Sequence, residues 1–322
     1  MSMTQQPNSA SRPILKIKEV SHALPFRAST LPASMSPGLE GAQMEPKPIN
    51  YGFFTKIFVI AAYKILTNQF VRRLRKPQPT VAYVSSHIGI KATAKTTLAE
   101  AHAMQFVAEH TSIPVPKVYS AFTHSGTTYI LMERIDGEPL TTAWVQRLPE
   151  SKARILAQLK SFVNELREIP PPDSNGVSNI IGGPVFDERL PDKPFWGPFA
   201  SVADFHRELR NQVELKHLEG PNKAKFPEDM ADLIRFHHET PDKPVFTHGD
   251  LSSFNILVRG DKVVGIVDWE TAGWMPAYWE YTTAWNASPS NLFWQDEVDK
   301  YITPLPHARD MENLRRQYFG GF

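Results

Sequence analysis

The 322-residue sequence contains no cysteine. That excludes a disulfide scaffold, a thiol nucleophile and any thiolate metal site, and it fits a reducing compartment such as the cytoplasm. An excess of either charge is also missing, since 35 Lys and Arg face 34 Asp and Glu. A net charge of +1 gives no global field to gather polyanions, which argues against nucleic acid as the main partner. No run approaches the ~18 consecutive apolar residues of a membrane-spanning helix. The best candidate, Ile57 to Tyr63, is confined between Lys56 and Lys64. The N-terminus has no basic start leading directly into an apolar run, so no secretory signal is expected. Two things are plentiful. The 41% apolar content is that of a globular chain, and the 28 prolines exceed the usual share of about 5%. Some part of the molecule is therefore rich in loops.

Residues 1–50 hold seven Pro and seven Ser with no sustained period, which predicts an extended or disordered segment. From Tyr51 the texture changes. Phe54, Ile57, Phe58, Ala61, Ile65 and Phe70 recur at helical spacing, and Arg72, Arg73, Arg75 and Lys76 follow. A basic amphipathic helix of this kind is able to lie on a membrane surface. The preferred reading is a helix that packs this stripe on the protein, with its cations favoured at the C-terminal end by the helix dipole. Val81–Val84 and Ile88–Lys91 read as strands, and Thr97-Leu-Ala-Glu100 has the pattern of a capping box opening a helix to about His110. Ile113-Pro-Val-Pro is extended, and two β-type runs, Lys117–Phe122 and Thr127–Glu133, flank a His124-Ser-Gly126 turn.

These elements make residues 51–135 a small α+β lobe, and residues 136–322 a larger, mainly helical one. Helices are expected at 141–148, 150–168, 201–218 and 227–238, with a long proline- and glycine-rich loop at 169–198. Short apolar runs follow at Val245-Phe246, Ile256–Val258 and Val263–Val267.

The last of these runs frame the informative segment, Val245-Phe-Thr-His248-Gly-Asp250-Leu-Ser-Ser-Phe-Asn255-Ile-Leu-Val258. Its polar loop presents Asp250 and Asn255 five residues apart, and Val263-Val-Gly-Ile-Val267 delivers Asp268 at the end of the next run. Asp, Asn and Asp at the mouths of neighbouring short strands are hard oxygen donors suited to Mg²⁺ beside substrate phosphates. Phosphoryl transfer needs such metal ligands and a carboxylate at the attacking hydroxyl, since the protein mainly positions reactants and stabilises charge.

The Asp250-x-x-x-x-Asn255 spacing followed by Asp268 resembles the catalytic loop and metal aspartate of the protein-kinase-like superfamily. The string His248-Gly-Asp-Leu…Asn255-Ile-Leu…Ile266-Val-Asp268-Trp-Glu270 resembles the aminoglycoside phosphotransferase family. Asp268-Trp-Glu-Thr-Ala-Gly-Trp-Met-Pro-Ala-Tyr-Trp-Glu280 is similar to its fungal, small-molecule kinase branch. Thr111-Ser-Ile-Pro-Val-Pro116 and Tyr129-Ile-Leu-Met-Glu-Arg-Ile135 are similar to its first lobe. The resemblance implies a bilobal α+β kinase fold that uses ATP and Mg²⁺ to phosphorylate a hydroxyl of a small molecule. It implies Asp250 as the catalytic aspartate, Asn255 and Asp268 as Mg²⁺ ligands, and His248 as a brace for the loop. It also implies Lys91 at the nucleotide phosphates with Glu100 as its helix partner. Met132 would lie near adenine, which main-chain groups of Glu133 and Ile135 would hydrogen-bond.

The sequence departs from the family pattern before Lys91, where Ser85-Ser-His-Ile-Gly89 is short and carries one glycine, and Lys95 is an alternative phosphate contact. Ser253 and Phe254 stand where proline with arginine or glycine is commoner. Some positions have a second reading. Glu100 either completes the cap with Thr97 or pairs with Lys91, and Glu270 and Glu280 either bind a cationic substrate or cap helices. His237-His238 with His248 suggests zinc only superficially, because adjacent helical residues point about 100° apart. At least two of Trp269, Trp274, Trp279 and Trp285 belong to the core. Three rival functions remain: a ligand-binding pseudokinase, a metal-dependent phosphohydrolase, and a serine hydrolase at Ser252, which lacks a G-x-S-x-G elbow. The acceptor is not readable from residues 170–322.

Overall fold

The computed structural model describes residues 46–70, 81–95, 97–172, 176–219, 226–287 and 292–320. The extended segment expected before residue 46 and the basic run at 72–76 lie outside the described residues.

Helix α1 (Phe53–Thr67) leads to a four-stranded antiparallel sheet of β1 (Val81–Tyr83), β2 (Ile88–Thr93), β3 (Val118–His124) and β4 (Thr127–Glu133), in the order β1-β2-β4-β3. Helix α2 (Ala99–His110) lies between β2 and β3 in the chain. The β3–β4 turn is tight because Ser125 and Gly126 both take positive φ, 49° and 72°, which matches the twist of paired strands. Alternation along β2 sorts its side chains. Ile90 packs with Val59 of α1, Phe122 and Tyr129, whereas Lys91 is paired across the ladder with Ile130, which belongs to the core that includes α2. Small residues on α2, Ala99, Ala101 and Ala103, bury its inner face and keep Glu100 beside the sheet.

Two expectations for this region are corrected. The capping box does not form: α2 begins at Ala99, the Thr97 hydroxyl accepts the Ala99 N–H at 3.2 Å, and Glu100 turns to Lys91. The stripe Phe54, Ile57, Phe58, Ala61 and Ile65 faces outward, since α1 packs on the sheet through Val59 and Tyr63 on its other side, and Phe70, expected on the same helix, lies exposed beyond its end at Thr67.

The larger lobe opens with β5 (Glu138–Pro139) and α3 (Pro149–Glu168), whose Ile155, Leu156, Leu159, Val163 and Leu166 form a buried stripe at three- and four-residue spacing. Three short strands follow, β6 (Ser178–Asn179), β7 (Val185–Phe186) and β8 (Phe195–Trp196), and then α4 (Val202–Leu209) and α5 (Met230–Glu239). The rest comprises β9 (Val245–Thr247), β10 (Ile256–Arg259), β11 (Lys262–Ile266), β12 (Gly273–Met275), α6 (Trp279–Trp285), α7 (Leu292–Tyr301) and α8 (Pro306–Phe319). Strands β11-β10-β5 and β6-β12-β9 form two small antiparallel sheets.

The helix expected at 141–148 is a single 3-10 turn at Leu140–Thr142. That expected at 201–218 breaks after Leu209, because Asn211 and Gln212 take positive φ. The loop at 169–198 contributes to the core: β7 pairs with β8, and Val177, Val185 and Trp196 pack with Phe205 and Trp279.

No zinc cluster forms at the histidines. His237 stacks on His206 at 4.2 Å, while the His248 ring bonds Val267 O. His206 Nδ1 donates to His237 O (3.2 Å) and its Nε2 accepts from the Tyr278 hydroxyl (2.9 Å), so the ring is held neutral. Burial pushes its pKa down to about 3. A histidine lowered in the folded state stabilises fully above its unfolded value near 6.5 and loses that contribution as pH falls below it. His206→Gln should therefore flatten the pH dependence of the unfolding free energy from urea titrations between pH 6 and 4, by about 1.4 kcal/mol per pH unit. Equal slopes for the two proteins would contradict this.

Candidate active site

The loop between β9 and β10 carries His248, Asp250 and Asn255, and the end of β11 leads to Asp268. Gly249 is required within that loop. Its φ is +80°, and a Cβ there would sit 2.9 Å from Thr271 O. Two neighbours lock the loop from opposite sides. Glu280, buried on α6, accepts the His248 N–H at 2.6 Å and the Gly249 N–H at 3.1 Å. Thr271 donates its hydroxyl to His248 O at 2.8 Å.

The His248 ring ties the β9–β10 loop to the end of β11. Nδ1 accepts the Asp250 N–H at 3.1 Å, which leaves Nε2 to donate to Val267 O at 3.1 Å. Burial pushes this histidine down to about 4, so it is neutral at physiological pH. The Val267 N–H in turn donates to Asn255 O at 2.9 Å. Asn255 spends its Nδ2 protons on Asp250 O (3.0 Å) and Asp250 Oδ2 (2.9 Å), which leaves its amide oxygen as an acceptor. Asp250 Oδ1 is buried without a hydrogen bond, and the nearest cation is Arg189 Nη1 at 3.6 Å. Burial pushes Asp250 up to about 6 against the pull of Arg189.

At the facing lobe, Lys91 Nζ bonds Glu100 at 2.9 Å, Asp268 at 2.6 Å and Glu270 at 3.0 Å. Burial disfavours the ammonium, but three carboxylates outweigh it and hold Lys91 charged. Glu100, the most deeply buried of the three, is pushed up to about 7 by burial despite Lys91. Asp268 sits in the left-handed region at φ 68°, ψ 60°, a conformation costly for a non-glycine residue that is typical of functional turns.

A cleft of ≈ 340 Å³ runs between the lobes, lined by Lys91, Glu100, Met132, Glu133, Ile135, Asn255 and Asp268 among others. All of the expected nucleotide- and metal-binding residues therefore share one cavity, and Asp250 is one hydrogen bond away through Asn255. The Glu133 N–H is already taken by Lys117 O at 2.8 Å. Among the described residues no main-chain carbonyl takes the N–H of the half-buried Ile135. Lys95 instead bonds Glu188 at 2.8 Å, with both groups well exposed. Phe254 also lines the cleft, as do Arg134 and Tyr83, whose guanidinium and ring stack 4.1 Å apart.

The description of the phosphotransferase enzyme family matches residues 67–315, most of the chain. The chain belongs to this family. Within it, the protein is similar to the aminoglycoside 3′-phosphotransferases of Niallia circulans and Enterococcus faecalis, at 24% identity over 53% of this chain and 22% over 63%. These matches span 58% and 70% of the two relatives' own lengths. A subtelomeric hrmA-associated cluster protein of Aspergillus fumigatus is 31% identical over 119 residues, 36% of this chain and 21% of its own. The crystal structure of aminoglycoside phosphotransferase APH(4)-Ia superposes with a TM-score of 0.50 at 14% identity, covering 80% of this chain and 88% of that one. The fold of this phosphotransferase-family chain is thus the bilobal α+β kinase-like one.

Several site residues escaped sequence reasoning. Arg189 grips Asp187 through two bonds of 2.7 and 2.8 Å, donates to Gly249 O, and faces Asp250, yet it comes from the proline-rich 169–198 stretch with no local motif. Glu270 and Glu280 have internal partners: Glu270 accepts from Lys91, and Glu280 accepts two N–H groups of the β9–β10 loop. Trp269, Trp274 and Trp279 are buried in the core, as expected of at least two.

Proposed function

We propose that this protein is a small-molecule kinase that transfers the γ-phosphoryl group of ATP to an alcohol hydroxyl, with Asp250 as base. What carries the reading is one chain of contacts that starts in the cleft and ends at Asp250, one hydrogen bond from it: Lys91 to Asp268, Val267 to Asn255, Asn255 to Asp250. ATP would lie in the cleft with adenine near Met132, hydrogen-bonded by the Glu133 carbonyl and the Ile135 N–H, and Lys91 would reach its phosphates. Glu100 would hold Lys91 in place, and His248 would brace the loop.

The donors at the phosphate end fit Mg²⁺: an amide oxygen on Asn255 and a carboxylate on Asp268 are hard ligands that leave room for water and phosphate. When bound, the ion would neutralise charge on the transferring phosphoryl group. Asp250 would accept the proton of the acceptor hydroxyl as its oxygen forms the new bond to phosphorus, while the bond from phosphorus to the β–γ bridging oxygen breaks and ADP leaves. Asn255 holds Asp250 Oδ2 by a hydrogen bond, and Arg189 sets a cation 3.6 Å from Oδ1, so the carboxylate is positioned before the step.

The test is an assay of Mg²⁺ and ATP against a metabolite extract with mass detection. One compound should gain a phosphate in step with ADP release. Tight ATP binding with no phosphorylated product from any extract fraction would overturn transfer in favour of a ligand-binding pseudokinase. Phosphate release without nucleotide would instead point to a hydrolase.

A further inference from the structure

Helix α1 presents its apolar stripe to solvent. Phe54 is 84% exposed, Ile57 51%, Phe58 55% and Ile65 62%, while Val59 is the helix's one buried residue. With Ala61 these residues fall within about a 100° arc of the helix. A contiguous exposed apolar patch of this kind marks an interaction surface rather than ordinary surface scatter. At 15 residues α1 is about 22 Å long, too short to cross the ~30 Å hydrocarbon core.

Charge decides what covers it. The helix carries Lys56 and Lys64 and no acid, and from Pro46 to Ala99 the sequence contains no Asp or Glu at all. A second copy would bring like charges face to face across the stripe. The preceding 45 residues hold Arg12, Lys16, Lys18 and Arg27 against Glu19, Glu40 and Glu45, so they offer no anionic complement either. An anionic lipid surface supplies both what the apolar arc and what the cations lack. We propose that α1 is an interfacial helix that docks this protein peripherally on anionic membranes, its Phe54, Phe58 and Ile65 dipping among the acyl chains and Lys64 at headgroup level. Because α1 rests on the face of the sheet that carries Ile90, opposite the face that carries Lys91, docking leaves the nucleotide cleft open.

The experiment is co-sedimentation of the full chain with phosphatidylcholine vesicles, with and without phosphatidylserine. The wild type should sediment with the phosphatidylserine vesicles and release as salt rises. Phe54→Ser with Phe58→Ser should weaken partitioning at least about tenfold, and Lys64→Gln several-fold, with the unfolding midpoint unchanged. Phe54, Phe58 and Lys64 are exposed and lie on α1, away from the cleft, so ATP turnover serves as a fold control. Three outcomes would each overturn the proposal: no sedimentation with either vesicle, salt-independent binding to phosphatidylcholine alone, or a solution dimer that the Phe54→Ser, Phe58→Ser pair dissociates. Vesicle binding that appears only after proteolytic removal of residues 1–45 would likewise show the stripe to be covered from within.

Discussion

Asp250→Asn is expected to lower turnover by about 10²–10⁴-fold while leaving ATP affinity within a factor of about two. The substitution is nearly isosteric. Its side-chain oxygen still accepts from Asn255 Nδ2, now at 2.9 Å, and His248 still accepts the residue 250 N–H, so the loop keeps its shape. What disappears is the negative charge that takes the hydroxyl proton. Arg189 loses one of its facing anions but keeps both bonds to Asp187, which limits the structural cost. Because Asp250 does not line the nucleotide cavity, ATP titration should report little change. Turnover equal to wild type would remove Asp250 from the chemistry, and loss of ATP binding together with turnover would mark it as structural.

The parts of this molecule legible in sequence are those whose determinants are local. The β3–β4 hairpin announces itself through alternating apolar residues around Ser125-Gly126, where positive φ is needed. The Asp250, Asn255 and Asp268 set is legible because one short hairpin, β10 with β11, pairs Ile256 with Ile266 and so brings the flanking Asn255 and Asp268 together. Long-range partners were not legible. Glu280 reaches the β9–β10 loop from 32 residues away, and Arg189 faces Asp250 from a stretch whose composition reads only as loop. Periodicity also gave the wrong face of α1, because a 3.6-residue stripe reveals that a helix has an apolar side but not which side meets the sheet. Thr97 and Glu100 satisfy the capping pattern, yet the buried Lys91 ammonium is a stronger partner for Glu100 than a backbone N–H at a helix end.

That same ammonium underlies the second large effect. In Lys91→Met the carboxylates of Glu100, Asp268 and Glu270, whose ligand atoms lie within 4.8 Å of one another, would lose the one cation they share. Removing one partner from a buried ionic group typically costs about 3–5 kcal/mol, because the remaining charge is left uncompensated. The urea midpoint should fall accordingly, and ATP affinity should fall with it. Stability and function then separate in the double variant Lys91→Met, Glu100→Gln. Glu100 is the most buried of the three acids, so neutralising it should recover about 1–3 kcal/mol relative to the single variant. Turnover should stay lost, since no cation returns to the phosphate end of the cleft. Recovery of turnover along with stability would mean that Lys91 acts only by keeping the lobe folded. Additive losses in the double variant would show that Glu100 is not stabilised by Lys91 at all.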